Sequence, residues 1–582
     1  MRNRTALSFA ALFLFNCLLA QTFTSPPPGP VRAMAEWEEL QALNITWNDQ
    51  NHGGQWIAIL AEIVRHAREE CRVIINCENQ TVVNSATSYL TGKGVDLSSN
   101  VEFAIAPNNS IWVRDYGVNS VYLNDVDSLV IVDWIYNRIN RTKDNLVPVR
   151  VGQHMTLPVY ATTVAPYDLV NTGGNFMTDG MGLGFSSKLV LTNNDQTMNG
   201  ECGNTNDVIG TSNHDEASID NIMMEFMGIE RYIKMDELPY DCIHHIDMHM
   251  KLLDEETLLV GQYPPGVADG PQIEANIQYV LDNVKTAYGT PFRVKRILMP
   301  PHNGKYPDQG GHYRTYVNSV VVNKTILVPF YEATFDTTAQ RVWQEAMPGY
   351  KIVGINCNNI IGASGALHCI TKEIGVNDPL RIVHRPLDQV VQGQQSPNEY
   401  PVTALIQHRS GVAAATIHYR RKTEAVWSTA PMSPLSAPDS ASYWRGAIPR
   451  QTAYFDTVYY YIQATANNGK TLARPLPGPE GPWRFDIVPN ISSDYAPNTA
   501  MQAVFPNPAS GMTVVPLRSS QQVQGSLSVL NNLGQTAAVL HEGIIPAGDS
   551  RYYLDAAKLP AGSYWVRLQT GQQTAVQKLI VR

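Results

Sequence analysis

The chain has 582 residues, 44% of them hydrophobic and 16% charged, which excludes a disordered polymer and a single-core domain and suggests about three or four folded units. A formal charge of −9 argues against a nucleic-acid partner and suits a cationic one.

Arg2 and Arg4 precede the apolar run Ala10–Phe15, and Leu18-Leu19-Ala20 offers a cleavage site before Gln21. Residues 1–20 therefore read as a secretory signal, too short to span a membrane as a helix. Cys17 raises the lipoprotein alternative, but Phe15 and Asn16 stand where such a signal wants small residues. No later stretch reads as transmembrane. Residues 21–30 form a proline-rich lead-in ending in Pro26-Pro27-Pro28-Gly29-Pro30.

From 31 to 390, strand-like runs such as Val73-Ile74-Ile75 and Val320-Val321-Val322 alternate with helix-like ones such as Ile57–Val64 and Ala339–Gln344. The pattern predicts a mixed α/β unit with no repeat legible in the sequence. Five short motifs stand out along it: Trp112-Val113-Arg114-Asp115-Tyr116, Thr172-Gly173-Gly174-Asn175, His245-Ile246-Asp247, Tyr316-Val317-Asn318-Ser319 and the small-residue loop Gly362–Leu367 that delivers His368-Cys369. After the linker Gln392–Pro397, residues 398–488 carry short β runs, Ala413–Tyr419 and Val458–Ala464 among them, and predict an immunoglobulin-like β-sandwich. A second linker, 489–500, leads to a small all-β module at 501–582.

The seven cysteines are sparse and irregular, unlike a disulfide framework. Cys71 and Cys77 flank one apolar run; as strand ends they would stand roughly 20 Å apart, beyond disulfide reach. A Cys202–Cys242 pair stays open.

The motifs carry parts for covalent chemistry on a guanidinium. A thiolate is the soft, strong nucleophile that a charge-delocalised electrophile requires, and Cys369 fits that part. His245 can protonate departing ammonia and then activate water. Asp247, two residues on and on the same face of a strand, can accept paired N–H bonds from the cation, with Asp115 holding another edge. A rival reading makes His245, Asp247 and His249 a metal set on one strand face; no second cluster completes it, and His302 and His312 read as loop histidines.

Together these motifs resemble the guanidine-modifying (pentein) superfamily. More closely, they resemble the secreted Porphyromonas-type peptidylarginine deiminases and the related agmatine deiminases, with Pro28–Trp37 like the family's catalytic-domain opening. The resemblance implies a five-bladed α/β-propeller with Cys369 as nucleophile, His245 as general acid/base, Asp115 and Asp247 clasping the guanidinium, and Asn318 shaping the pocket. Trp112, Gly173, Gly174 and Asn175 would line the substrate, the glycines by close backbone approach. Val132–Arg138 is similar to the family segment that offers an arginine to a peptide's C-terminal carboxylate; Arg138 matches its first arginine, while Asn140 replaces the second and Arg141 follows one place later. Neither cofactor nor catalytic metal is implied.

Residues 501–582, with Phe505-Pro506-Asn507-Pro508, Leu530–Gln535 and the close Gln577–Arg582, resemble the sorting domain of the type IX secretion system. The implied partners are arginine-containing peptides or proteins and that secretion machinery, with location in the medium or at the outer surface after processing. Deimination of agmatine or another small guanidine is the alternative within the enzyme class. An inactive surface adhesin is the alternative outside it.

Overall fold

The computed structural model describes residues 21–138, 140–195, 213–388, 390–392, 399–435, 442–451, 456–489, 499–571 and 573–582. The expected signal segment, Cys202, and most of both expected linkers lie outside them. Among the described residues no helix is long and apolar enough to cross a membrane.

One topological unit recurs through the first part of the chain: an antiparallel strand pair, a helix, then a strand returning parallel to the second. It comprises Asn119–Leu123, Ser128–Trp134 and Val159–Thr162 in the first sheet, and Met177–Thr178, Leu183–Ser187 and Arg231–Met235 in the second. Met250–Asp254, Thr257–Gln262 and Arg293–Leu298 make the third; Val320–Val322, Thr325–Phe330 and Lys351–Asn356 make the fourth. The fifth joins the two ends of the unit: Lys372–Gly375 pairs antiparallel with Leu40–Thr46, which lies parallel to Arg72–Cys77 and, beyond it, Val101–Ile105.

The inner parallel strands, Arg72–Cys77, Ser128–Trp134, Thr257–Gln262 and Thr325–Phe330, are largely buried and mostly apolar because helices cover them. Helix Gln55–Ala67 buries Trp56, Ile59, Leu60, Ile63 and Val64 along one stripe, and Arg65 and His66 sit in its last turn, where cations are favoured. Both Asp49 carboxylate oxygens accept main-chain N–H groups at its start, from Gly54 at 2.7 Å and Trp56 at 3.1 Å. The repeat escapes the sequence because it is a hydrogen-bonding topology, filled by different residues each time.

Two expected boundaries move. Thr22–Phe23 pairs with Val159–Tyr160 at the edge of the first sheet, so the proline-rich lead-in is already part of the α/β unit. Arg381–Val383 and Val390–Gln392 pair with strands of the following β unit, so the hand-over comes after Gly375 rather than at 390. Strand pairing over long separations sets both, and local composition does not report it. The β unit has its own core around Val402, Ile417, Tyr460 and Ile487, and so does the C-terminal module, around Leu517, Val529, Val566 and Leu579. Lys470 to Glu39 at 2.6 Å ties the β unit to the α/β unit, and the Tyr553 hydroxyl, donating to Arg296 O at 2.9 Å, ties on the C-terminal module.

Asn323, in the left-handed turn of the fourth sheet, fastens the closing sheet. Its side chain accepts from Leu40 N at 2.8 Å and donates to Leu40 O and Glu70 O, both at 3.1 Å. Asn323→Gly keeps the turn relaxed and removes these three bonds, so it should cost about 2–3 kcal/mol in urea unfolding followed by tryptophan fluorescence. An unchanged midpoint would show that closure does not depend on this side chain.

Candidate active site

Each of the five motifs lies just before the first strand of a different sheet. Trp112–Tyr116 precedes Asn119, Thr172–Asn175 precedes Met177, His245–Asp247 precedes Met250, Tyr316–Ser319 precedes Val320, and Leu367–Thr371 precedes Lys372. The segments touch one another in one place. Arg114 N donates to Cys369 O at 3.2 Å, and Gly174 N to Asp115 Oδ1 at 3.3 Å. Thr172 Oγ1 lies 3.1 Å from His245 Nε2, and Asn318 Nδ2 lies 3.2 Å from Cys369 Sγ.

The thiol is buried, at 2% exposure. Asn318 organises its loop, its Oδ1 accepting from Ala366 N and His368 N, each at 3.1 Å, while its amide donates to sulfur. Asp247 Oδ2 stands 3.6 Å from Sγ. Burial and the charges of Asp247 and Asp115 raise the thiol well above the ordinary cysteine value. Gly365 lies flat against this corner: a β-carbon there would sit 2.5 Å from the Trp112 ring and 3.0 Å from Sγ. A β-carbon on Gly174 would come within 2.5 Å of His245 Nδ1 and 3.0 Å of Asp115 Oδ1, so backbone does approach both groups closely.

His245 and Asp247 are not on a strand. They flank Ile246 in a short turn, Ile246–Met248, and face different partners. The His245 Nδ1 side lies 3.6 Å from Asp115 Oδ1. Asp247 Oδ2 lies 2.7 Å from His368 Nδ1, while Oδ1 is buried without a hydrogen-bond partner among the described residues. His249 is buried and among the described residues its ring nitrogens have no hydrogen-bond partner; nor, among those residues, do the three form a group placed to hold an ion. The Asn175 side chain bonds the Ser187 backbone, accepting from N at 2.9 Å. Arg138 is half-buried on the loop beyond Trp134. Arg141 donates to Tyr136 Oη at 2.9 Å, and the Tyr136 ring packs 5.6 Å from that of Tyr116, so the loop rests on the Asp115 turn.

Behind these residues lies a buried charge network that the motifs do not announce. His368 is fully buried, with Asp247 on Nδ1 and Glu36 Oε1 on Nε2 at 2.9 Å. Both ring nitrogens thus face carboxylates. Arg114 donates to Glu373 Oε1 at 2.8 Å and to His368 O at 3.1 Å, and lies 3.6 Å from Glu36; Lys251 pairs with Glu36. Burial would raise Asp247 and Glu36, but the hydrogen bonds and charges of His368, joined at Glu36 by Lys251, outweigh it and hold both below the usual carboxylate range. Lys372 is pushed down to about 7 by burial and by Arg114. Glu36, His368 and Glu373 are close enough to hold an ion, yet their oxygens already serve Arg114, Lys251 and His368. The available sequence signal was charge inside apolar runs: Glu36 in Met34–Trp37, and Lys372-Glu373 before Ile374.

Residues 32–374 match the family model described as Porphyromonas-type peptidyl-arginine deiminase, and residues 503–582 match a secretion system C-terminal sorting domain. The chain is 23% identical over 348 residues to a putative agmatine deiminase of Legionella pneumophila, covering 58% of this chain and 93% of that protein. It is 24% identical over 378 residues to another from Latilactobacillus sakei, covering 60% and 98%. A solved structure of a putative agmatine deiminase superposes with a TM-score of 0.52 at 19% identity over 62% of this chain and 99% of that one, a likeness of fold.

Alkylation of Cys369 by iodoacetamide, corrected with Cys369→Ser, should stay slow through pH 9 and accelerate only above it. Asp247→Asn removes one of the charges that raise the thiol, so acceleration should begin at lower pH. A rate that levels off by pH 8 in the unsubstituted protein would contradict this electrostatic picture.

Proposed function

The chain belongs to the Porphyromonas-type peptidyl-arginine deiminase family, and from that membership we propose that it hydrolyses the guanidinium of arginine in peptides or proteins to the ureido group of citrulline, releasing ammonia. The sorting domain at 503–582 marks it for export to the cell surface or the medium. We read the five sheets as blades of one pentein propeller, the closing blade shared between the first and last strands. The β unit that follows we read as immunoglobulin-like, and residues 1–20 as the signal peptide.

One observation carries the proposal: five pre-strand segments bring a buried thiol, an imidazole and two carboxylates together, and Asp247 Oδ1 has no hydrogen-bond partner among the described residues. A guanidinium supplies N–H donors to that oxygen and to Asp115. Its charge also offsets the repulsion that keeps the thiol protonated, so the substrate helps to generate its own nucleophile. Cys369 passes its proton to His245 and the resulting thiolate adds to the guanidinium carbon, with Asn318 fixing the sulfur. His245 donates a proton to the departing nitrogen, ammonia leaves, and a thiouronium remains on sulfur. His245 then takes a proton from water as it adds to the same carbon, and collapse returns the thiol and the ureido product. Guanidinium and water thus become urea and ammonium. His245, flanked by Thr172 and Asp115, stays aligned through both steps.

Arg138 is the residue we assign to a peptide's terminal carboxylate, with Arg141, which donates to Tyr136 Oη, as the alternative in place of the missing second arginine. The relatives named as agmatine deiminases support a second reading, action on a small guanidine.

The two readings separate by assaying ureido product from a peptide ending in arginine, one with internal arginine, and agmatine. We expect preference for the first, loss of at least about a thousandfold in Cys369→Ala, and a KM raised about tenfold in Arg138→Ala with kcat little changed. Preference for agmatine would transfer the assignment to the small-guanidine class, and absence of thiol-dependent product from all three would overturn both. Asp247 is ionised above its depressed pKa, so activity should fall as pH drops through that value. His368→Gln removes the group that depresses it, so the acid limb of kcat/KM should move to higher pH; an unmoved limb would remove His368 from this role.

A further inference from the structure

The sheet that presents Cys369 has an open, polar recess beside it. Leu40–Thr46, Arg72–Cys77 and Val101–Ile105 are parallel, and Lys372, three residues after the nucleophile, pairs opposite Asn44. The thiol therefore lies at the carboxyl ends of these strands, the end at which open α/β sheets bind ligands. The loops leaving the three strands at that same end enclose a recess of about 550 Å³ open to solvent, lined by the carboxamides of Asn48, Gln50, Asn51, Asn108 and Asn109 and by two carboxylates, Asp49, which caps the start of helix Gln55–Ala67, and Glu78, which pairs with Lys143.

Two connections place the recess against the substrate. Gln50 Oε1 accepts from Ile111 N at 3.3 Å, the residue before Trp112, and the Trp56 ring packs edge-on at 5.5 Å against that of Trp112. On the other side Asn109 Oδ1 accepts from Lys143 N at 2.8 Å, at the end of the loop bearing Arg138. The recess thus runs from the tryptophan beside the thiol toward the arginine assigned to the terminal carboxylate.

Asn48 and Asn108 are spent on one another and on backbone, and the oxygens of Gln50 and Asn109 accept from Ile111 N and Lys143 N, so the amide N–H groups of Gln50 and Asn109 and the whole Asn51 carboxamide face the recess as partners for a peptide unit. The recess has no lysine or arginine in its lining to attract a phosphate, and little apolar surface beyond Trp47 and Val82. Asn51 is exposed, and its side chain makes no hydrogen bond among the described residues.

We propose that this recess is the docking subsite for the peptide main chain on the N-terminal side of the target arginine, holding it through hydrogen bonds to carboxamides and without preference for particular side chains. The proposal rests on the peptide reading above. A small guanidine has no atoms to place there, so the recess is useful only to a peptidyl substrate, and its effect grows with the number of residues preceding the arginine.

The test compares kcat/KM for N-acetylarginine and for acetyl-tetraalanyl-arginine in the full chain, the Val82→Trp variant, which fills the recess, and Gln50→Gly, which shortens its lining at a left-handed position that glycine adopts freely. Thermal unfolding monitors folding of both variants. In the unsubstituted protein the longer peptide should be favoured about tenfold, and this ratio should fall toward one in Val82→Trp and decline in Gln50→Gly. Changing the alanines to other small residues should leave it in place. Equal kcat/KM for the two substrates in the unsubstituted protein, or a ratio unaffected by filling the recess, would overturn the subsite while leaving the deiminase reading intact. Failure of both substrates to give thiol-dependent product would instead remove the peptide reading on which it rests.

Discussion

Four carboxylates, Glu36, Asp115, Asp247 and Glu373, are drawn out of water around one thiol, and the rest of the site depends on how that charge is balanced. Buried charges are tolerable only when paired and hydrogen-bonded. Arg114 is the hinge of the compensation. Its backbone N–H holds Cys369 O, its guanidinium holds Glu373 and the His368 carbonyl, and its charge reaches Glu36. His368 carries the balance onward, clamped between Glu36 and Asp247. The pairing is incomplete by design of the geometry: one oxygen of Asp247 has no partner among the described residues. A site already satisfied would have little to gain from a cationic substrate.

The same balance explains why a raised thiol is compatible with nucleophilic chemistry. Asp115 and Asp247 disfavour a thiolate when the site holds no cation, and on the proposed reading a guanidinium between them would lift that effect. Charge repulsion would then act as a selection step, since a neutral urea would neither pair with the carboxylates nor activate the sulfur. Asn318 supports the sulfur with a neutral hydrogen bond, leaving the charge balance to the substrate.

Precision at this centre comes from ring closure rather than from any one segment. Each contributing turn is anchored by the strand that follows it, in a different sheet, and the sheets are locked in order when Lys372–Gly375 pairs with Leu40–Thr46. That pairing also aims the nucleophile loop at Trp112, with Gly365 allowing the close approach. The β unit and C-terminal module have separate cores and attach at the outside of this ring, through Lys470 and Tyr553, leaving the thiol's surroundings to the α/β unit alone.

The parts of the candidate site could be picked out in the sequence because each part is local. Cys369 follows a run of small residues, His245 and Asp247 sit two apart, Asp115 and Asn318 lie in compact motifs, and helix Gln55–Ala67 shows its apolar stripe. The three-part order of the chain was legible for the same reason, since strand texture and turn residues are local signals. What the sequence could not decide is long-range. It placed His245 and Asp247 on one strand face, whereas a short turn aims them at different partners. It did not announce that the Asn175 side chain bonds the Ser187 backbone or that Arg141 donates to Tyr136. It gave no role to Glu36, Arg114 or His368, because a buried ion network is defined by residues that meet only when the ring closes. Residue type sets which reactions are available; the partner each group finds across the fold sets its charge, its orientation and its use.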